Sequence, residues 1–306
     1  MDLTRNLSLQ EPVLTGDDVT ALQKRLIFLG YTTVSGADGV YGERTDKAVR
    51  AFQKANNLIE DGVVGQFTWK ALFKSYLPPS FQLLTQLKAD LIKPHGFRDS
   101  VVWQLADNGI LIDHNMPETT GGEPLTIARI WESWGSAIER HAEDFGVPVE
   151  LIMATICTET RGDPNAVRIE PGYVSDQETP HRVSPGLMQT LISTARLSLR
   201  DDSIDRDWLL VPENAIKAGT AYIARQRKAT HFDPPKVACA YNAGGIYYNK
   251  GTNNRWKMRQ YPLGSGEHAD RYVKWFNDCF RYFASQDLTP GPSFYNLMGQ
   301  SDLVIG

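Results

Sequence analysis

The chain of 306 residues is poor in cysteine and has no long apolar run. Its three cysteines, Cys157, Cys239 and Cys279, are odd in number and widely spaced, which excludes a disulfide framework and a zinc pattern. Such thiols are typical of buried residues in a protein made in a reducing compartment. No stretch approaches the apolar length that crosses a bilayer, so we expect no stable membrane insertion.

The chain also lacks a marked excess of either charge. Its 32 Lys and Arg residues nearly balance 36 Asp and Glu residues, for a net charge of -4. This balance, with no basic run among aromatic residues, predicts no nucleic-acid partner. The first residues have neither a basic region nor an apolar core, so we expect no signal peptide. The histidine spacing fits no metal motif, and the sequence indicates no metal and no cofactor.

Helical periodicity dominates the rest of the chain, and strand signals are sparse. Helices are predicted over residues 16–29, 124–145, 148–161, 190–200, 212–229, 235–243 and 267–284. Residues 80–123 are interpreted as helices broken by glycines. The tail from Gln286 onward is interpreted as an extended surface segment because of its Pro and Gly residues.

These patterns predict a mainly α fold with two domains. A small three-helix domain is predicted over residues 1–77, and a larger α-helical domain over residues 80–306. Pro78-Pro79 marks the boundary because proline ends the preceding helix.

An internal pseudo-repeat follows the first predicted helix. The first copy is Asp38-Gly39-Val40-Tyr41-Gly42, followed by Thr45 and Ala48. The second is Asp61-Gly62-Val63-Val64-Gly65, followed by Thr68 and Ala71, each 23 residues after its counterpart. Each copy predicts a tight turn and a short helix, because glycines supply positive φ and the Asp can bond turn amides.

With Phe52-Gln53 and Thr68-Trp69 in place, residues 12–76 resemble the common helical peptidoglycan-binding module. The resemblance implies that bacterial peptidoglycan is the partner of this domain. The binding residues that it implies are Asp38, Tyr41, Gln53, Asp61 and Trp69. The alternative is a generic helical domain whose turns merely need glycine.

The larger domain carries one carboxyl group placed for acid catalysis. Glu159 lies in the last turn of an apolar helix, on the face of Ile152 and Ile156. The negative helix end and the apolar wall both favour the protonated carboxyl, so both are expected to raise its pKa. A general acid for glycosidic cleavage needs this property. The competing carboxylates are Glu150, Glu170 and Glu178, of which Glu150 is expected to stabilise the helix dipole in the first turn.

Two further motifs follow Glu159 in order. The first is Gly186-Leu187-Met188-Gln189, preceded by Ser184-Pro185, and the second is Ala240-Tyr241-Asn242-Ala243-Gly244. Together the three resemble the soluble lytic transglycosylase family, lysozyme-like enzymes that cut the glycan strands of peptidoglycan. The resemblance implies that Glu159 is catalytic. The substrate-binding residues that it implies are Thr160, Ser184, Met188, Gln189, Tyr222, Tyr241, Asn242 and Tyr272.

The chain departs from the family pattern at two places. An insertion over residues 168–182 separates the catalytic helix from the groove loop, and Ser184 takes the role of the usual serine. Near the end, Tyr272 resembles the family tyrosine whose hydroxyl can bond the catalytic Glu, while the sequence leaves open the register of Glu267, five residues before it.

The resemblance implies cleavage of the β-1,4 bond between N-acetylmuramic acid and N-acetylglucosamine. No second carboxylate stands at a compelling position, which favours attack by the muramyl 6-hydroxyl and 1,6-anhydro ends. A hydrolytic muramidase with the same bond specificity and a non-catalytic wall-binding virion protein are the alternatives. A cysteine peptidase is disfavoured because Cys157 lies within an apolar helix.

The order of binding module and catalytic module, without a signal peptide, resembles the modular endolysins of bacteriophages that infect Gram-negative bacteria. The resemblance implies that the protein stays in the host cytoplasm until another protein opens the membrane, and then lyses the cell. We expect a monomer. A bacterial autolysin exported by another route is the alternative.

Overall fold

The computed structural model describes residues 3, 5–31, 36–56, 58–73 and 79–299. It divides the chain into two units, Met1–Pro78 and Pro79–Gly306. The described residues are mostly helical with a few short strands, which confirms the predicted mainly α fold class. Pro78 and the last seven residues of the tail lie outside the described residues.

The described residues of the first unit form three helices, α1 (Asp17–Phe28), α2 (Glu43–Ala55) and α3 (Gln66–Phe73). Apolar residues spaced three and four apart face its core, because that spacing places them on one side of a helix. The helical residues buried in this core are Val19, Leu22, Leu26, Ala48, Val49, Phe52, Trp69 and Leu72.

Two buried glutamines organise the pseudo-repeat. The amide nitrogen of Gln23 lies 2.8 Å from the Asp38 carboxylate and 3.0 Å from the Thr45 hydroxyl. That of Gln53 lies 2.8 Å from the Asp61 carboxylate and 3.2 Å from the Thr68 hydroxyl. In each copy, the glutamine oxygen accepts the N–H of the glycine after the Asp. The two turns are therefore built by the same contacts.

These contacts correct the prediction that Tyr41, Gln53 and Trp69 touch peptidoglycan. Tyr41 is fully buried and donates its hydroxyl to the Gly62 carbonyl at 2.8 Å, which joins the two copies. Gln53 and Trp69 are also buried. The three side chains hold the fold together and offer no surface to a polymer.

Asp38 and Asp61, the other two predicted binding residues, are exposed, but their carboxylates are hydrogen-bonded within their own turns. Each accepts the backbone N–H two residues later, at 2.9 Å and 2.8 Å respectively. These hydrogen bonds lower the pKa of both carboxyls.

The second unit holds ten α-helices and four strands within residues 79–299. They are α4 (Pro79–Leu91), β1 (Trp103–Ala106), β2 (Gly109–Ile112), α5 (Leu125–Phe145), α6 (Val149–Thr160), β3 (Val167–Ile169), β4 (Val183–Pro185), α7 (Ile192–Leu199), α8 (Arg206–Leu210), α9 (Pro212–Arg225), α10 (Arg227–Thr230), α11 (Pro234–Ala243), α12 (Glu267–Ser285) and α13 (Phe294–Gly299). Each helix predicted in this part of the chain is present; the one over residues 212–229 is divided into α9 and α10.

The prediction of helices across residues 80–123 is right for α4 and wrong beyond it. Strands β1 and β2 form an antiparallel hairpin, with Trp103 opposite Ile112. Burial alternates along β1 with the period of a strand. Asn277 of α12 accepts the N–H of Ile110 at 2.7 Å, so a residue far along the chain holds this hairpin.

The prediction of an extended surface tail is also wrong. Residues Phe294–Gly299 form α13, in which Phe294 and Leu297 are buried. The hydroxyl of Ser293 donates to the Glu150 carboxylate at 2.5 Å. Apolar burial and this polar anchor draw the tail onto α6.

Helix α6 lies at the centre of the second unit. Its residues from Val149 to Cys157 are all buried, as expected for a helix that is apolar on every side. It packs against α5, α11 and α12. The helix ends at Thr160, and the next residue, Arg161, has a left-handed backbone; the last turn therefore lies at the edge of the core.

Candidate active site

The last turn of α6 opens into a cavity of about 700 Å³. Glu159 projects into it, with 16% of its side chain exposed. Of the predicted substrate-binding residues, five also line the cavity: Ser184, Gln189, Tyr222, Tyr241 and Asn242. Residues from α6, α9, α11 and the strand β4 are therefore brought to one place.

Burial raises the pKa of Glu159 to about 7, against the opposing pull of the Arg168 and Arg271 guanidinium groups. The carbonyl end of α6 adds to the preference for a neutral carboxyl. Near neutral pH, a large fraction of Glu159 therefore carries a proton. This is the ionisation state that a general acid requires.

His268, on α12, lies beside Glu159 and was not predicted from the sequence. Its Nε2 atom lies 3.7 Å from Oε1 of Glu159, which is longer than a hydrogen bond. Burial, with repulsion from Arg271 and Arg168, lowers the pKa of His268 to about 4. Glu159 thus faces a neutral imidazole near pH 7. Glu267, whose register the sequence left open, is exposed at the start of α12 and does not line the cavity.

The loop after β4 is fixed by backbone geometry and by α6. Gly186 has φ +82°, and a Cβ there would lie 2.0 Å from the Leu209 carbonyl oxygen, so only glycine fits. Thr160 donates its hydroxyl to the Leu187 carbonyl at 2.7 Å. Thr160 does not line the cavity, so it holds the loop against the helix.

Gln189 and Ser184 stabilise the wall that they line. The amide nitrogen of Gln189 donates to the carbonyls of Ala166 at 3.0 Å and Gly186 at 2.9 Å. Its oxygen accepts the Ser184 hydroxyl at 3.3 Å. These bonds occupy the Gln189 amide and fix its position beside the cavity.

Met188 does not meet the cavity, which corrects the prediction that it contacts a sugar face. It is fully buried. A Cβ on Gly219 of α9 would lie 2.5 Å from its sulfur, so the glycine makes room for it. Met188 packs beneath the loop as part of the core.

An aromatic pair forms another side of the cavity. The rings of Tyr222 and Tyr241 lie 5.1 Å apart. The Tyr241 hydroxyl donates to the Met188 carbonyl at 2.9 Å and lies 2.8 Å from the Thr190 hydroxyl. Asn242 accepts the N–H of Tyr261 at 2.5 Å. Aromatic faces held in this way suit the apolar faces of sugars.

Tyr272 lies behind the cavity and is almost fully buried. Its hydroxyl donates to the Leu151 carbonyl at 2.9 Å. The expectation that it bonds Glu159 is therefore corrected.

The inserted residues form a short β structure, here called the flap and defined as residues 167–185. Strands β3 and β4 pair in antiparallel register, with Arg168 opposite Ser184. The flap contributes Arg168, Glu170, His181 and Arg182 to the cavity lining. Sequence patterns did not reveal it because each strand has only three residues.

The cysteines take no part in the cavity lining. All three are buried and free, and burial raises the pKa of the Cys157 thiol, which opposes the thiolate of a cysteine peptidase. Across the described ranges, no helix is both long and apolar enough to cross a membrane. Those ranges likewise contain no group of three His, Cys, Asp or Glu side chains placed to hold a metal ion.

Comparison with known proteins adds independent findings for both units. Residues 15–72 match the peptidoglycan binding domain family, and residues 136–264 match the transglycosylase SLT domain family. Over 59 residues, the chain is 48% identical to the N-acetylmuramoyl-L-alanine amidase CwlL of Bacillus licheniformis. That match covers 19% of this chain and 16% of the amidase, so the chain spans under a fifth of that relative.

Two solved structures show weak likeness over most of the chain. An inactive mutant of the lytic transglycosylase Slt from Pseudomonas aeruginosa gives a TM-score of 0.38 at 14% identity, over 90% of this chain and 39% of that one. The Burkholderia AP3 phage endolysin gives 0.31 at 15% identity, over 92% of this chain and 100% of that one. At these TM-scores, neither likeness supports a conclusion about this chain.

The two family matches fall one in each unit of the chain. The chain thus combines an N-terminal peptidoglycan binding domain with a transglycosylase SLT domain.

Proposed function

We propose that the protein cleaves the β-1,4 bond between N-acetylmuramic acid and N-acetylglucosamine, with Glu159 as the catalytic acid. The observation that carries this proposal is the carboxyl of Glu159, which stands at the cavity with a pKa of about 7. A cavity of about 700 Å³ is large enough for several sugar atoms on either side of the bond.

The reaction needs one carboxyl group. Glu159 donates its proton to the bridging oxygen as the bond from muramyl C1 to that oxygen breaks. The muramyl 6-hydroxyl oxygen then bonds to C1, and the Glu159 carboxylate takes the hydroxyl proton. The acid is restored, no water is consumed, and the product ends in a 1,6-anhydro ring.

The other residues divide into two roles. Ser184, Gln189, Tyr222, Tyr241 and Asn242 line the groove and would contact the glycan. Thr160, Met188 and Tyr272 form the second group. They would act from behind the cavity, by fixing the positions of the loop after β4 and of helix α6.

The two domains would act in sequence on the same polymer. We assign the binding domain to residues 1–77 and the catalytic domain to residues 80–306. The first would hold the chain on the wall, and the second would cut it. Deletion of residues 1–77 is expected to weaken co-sedimentation with purified sacculi while cutting of soluble glycan fragments persists.

A hydrolytic outcome is the second candidate, and Glu170 favours it. This carboxylate lines the cavity and would be available to activate water. It is paired with Arg168, whose Nε lies 2.8 Å from Oε1 of Glu170. The Glu170 carboxylate is thus turned onto a neighbouring flap side chain, so the transglycosylase outcome is preferred.

Mass spectrometry of fragments released from purified sacculi separates these outcomes. Anhydromuramyl ends, unchanged in Glu170→Gln and absent in Glu159→Gln, are the expected result. Reducing muramyl ends, heavier by one water and lost in Glu170→Gln, would establish a muramidase instead. Release by Glu159→Gln at the wild-type rate would overturn the assignment of Glu159, and no release by the wild type would favour a non-catalytic wall-binding protein.

We further propose that this activity serves host lysis, as in a phage endolysin that waits in the cytoplasm. Expression in a Gram-negative host is expected to leave cells intact until the inner membrane is permeabilised, and then to lyse them within minutes. Lysis without permeabilisation would favour an exported autolysin.

A further inference from the structure

We propose that the flap binds the carboxylates of the peptide stems that branch from the glycan strand. The site consists of Arg168, His181 and Arg182, which lie on the flap side of the cavity that holds Glu159. This inference rests on the proposed function and names the part of the substrate that the inserted residues recognise.

The register of the flap places its cations at the cavity. Arg168 lies opposite Ser184 in the antiparallel pair, and opposed residues project from the same face of a two-stranded sheet. Ser184 and Arg168 both line the cavity. Arg182 donates from Nη1 to the Pro171 carbonyl, while its own carbonyl accepts the Glu170 N–H at 2.8 Å.

The flap is tied down at its far end. Arg206 of α8 donates from Nε and Nη2 to the two carboxylate oxygens of Asp176, at 2.9 Å and 2.7 Å. Nη2 also lies 3.0 Å from the Tyr173 hydroxyl, and Tyr173 packs on the apolar cluster around Val183. Because the loop is anchored, little ordering is needed before it binds a ligand.

The flap side of the cavity carries two arginines, although the chain as a whole has a net charge of -4. Arg168 and Arg182 line the cavity together with one carboxylate of the flap, Glu170, which is paired with Arg168. The Arg168 side chain is 64% exposed, and an ion pair this exposed contributes little free energy. A substrate carboxylate can therefore replace Glu170 on Arg168 at small cost.

The chemistry of the substrate indicates where that carboxylate lies. In a strand with stems attached, the muramyl lactyl group is an amide, and the sugars carry no charge. The negative groups belong to the acidic residues of the peptide stems. A guanidinium binds such groups by charge-assisted hydrogen bonds. The flap therefore selects glycan that carries acidic stems.

Sacculi with native and with neutralised stems test the inference. Coupling methylamine to the stem carboxyls with a carbodiimide removes their charge and leaves the glycan intact. Cleavage is measured at pH 5.5, where Glu159 stays protonated in every variant. The proteins are the wild type, Arg168→Gln/Arg182→Gln, and Arg227→Gln, an exposed cation on α10 outside the cavity lining, as the charge control.

The wild type and Arg227→Gln are expected to lose about tenfold in kcat/KM on neutralised sacculi, which corresponds to one modest charged contact. The double variant is expected to lose the same factor on native sacculi and nothing further on neutralised ones. Equal wild-type rates on both substrates would overturn the flap assignment and leave the proposed function standing. A double variant that still distinguishes the substrates would overturn it too, and a wild type that cuts neither would refute the proposed function itself.

Discussion

The two ends of α6 carry one glutamate each, and their surroundings differ. Glu150, in the first turn, is fully buried. Its carboxylate accepts the Ser293 hydroxyl at 2.5 Å and the N–H groups of Phe294 at 3.2 Å and Tyr295 at 2.9 Å. Glu159, in the last turn, is 16% exposed and has His268 at 3.7 Å.

Burial raises the pKa of both carboxyls, so burial alone does not distinguish their roles. The difference lies in the hydrogen-bond donors. Three donors hold Glu150 and make it the anchor of the C-terminal segment. Glu159 sits at a cavity beside a neutral imidazole, which leaves its proton available to a ligand. In this helix, the buried acid with few hydrogen-bond partners is the one placed for proton transfer.

The largest expected effect is on catalysis at the exposed end. Glu159→Gln removes the proton donor and keeps the shape, so kcat on sacculi should fall by about 10³-fold or more. Glu132→Gln, the same substitution at an exposed glutamate of α5, is the matched control and should keep the wild-type rate. A Glu159→Gln enzyme within tenfold of the wild type would show that Glu159 is not the proton donor.

The buried end should respond in stability. Glu150→Ala leaves three donors without an acceptor, at a cost of about 3 kcal/mol or more in the free energy of unfolding. Glu150→Gln should cost less, because its remaining oxygen keeps two of the donors. Chemical denaturation of the three proteins measures the series, and wild-type stability in Glu150→Ala would show that the anchor contributes nothing.

The same comparison predicts a stability gain at Glu159. Its pKa in the folded protein, about 7, exceeds the ordinary value of 4.5, so the folded state binds this proton more tightly than the unfolded state. Its contribution is fully present below pH 4.5 and is lost as the pH rises through 7. Glu159→Gln should therefore gain up to about 3 kcal/mol over the wild type at pH 8 relative to pH 4. A gain that is the same at both pH values would contradict the raised pKa.

The smallest expected effect concerns Arg271, an exposed cation that lowers the pKa of Glu159. Arg271→Gln should move the alkaline limb of the pH–rate profile upward by a fraction of a pH unit, as expected for a screened charge. The shift should shrink in high salt. A downward shift would show that Arg271 acts through another group.

Much of this fold follows from local sequence signals. Periodicity predicts α5, α6 and α12 because an apolar face at helical spacing must be buried. Glu159 could be predicted from its place on α6, since both the helix end and the apolar wall are local properties. The glycines of the pseudo-repeat likewise predict its two turns.

The remainder depends on contacts between distant residues. Local spacing assigned Glu150 to the helix dipole, whereas its partners lie 143 to 145 residues later. His268 and Arg168 come from separate elements, so their approach to Glu159 is visible only after folding. Gln53 and Trp69 matched a binding motif because the fold needs them, and a motif alone does not separate packing from contact with a ligand.

The proton on Glu159 can be observed by titrating the glutamate carboxyl carbons in ¹³C NMR, with Glu159→Gln used to assign the Glu159 signal. A Glu159 midpoint near pH 7, the value that burial produces, is the expected result. A midpoint near 4.5 would mean that the carboxyl is ionised at neutral pH, and Glu159 would then lack the proton on which the proposed mechanism depends.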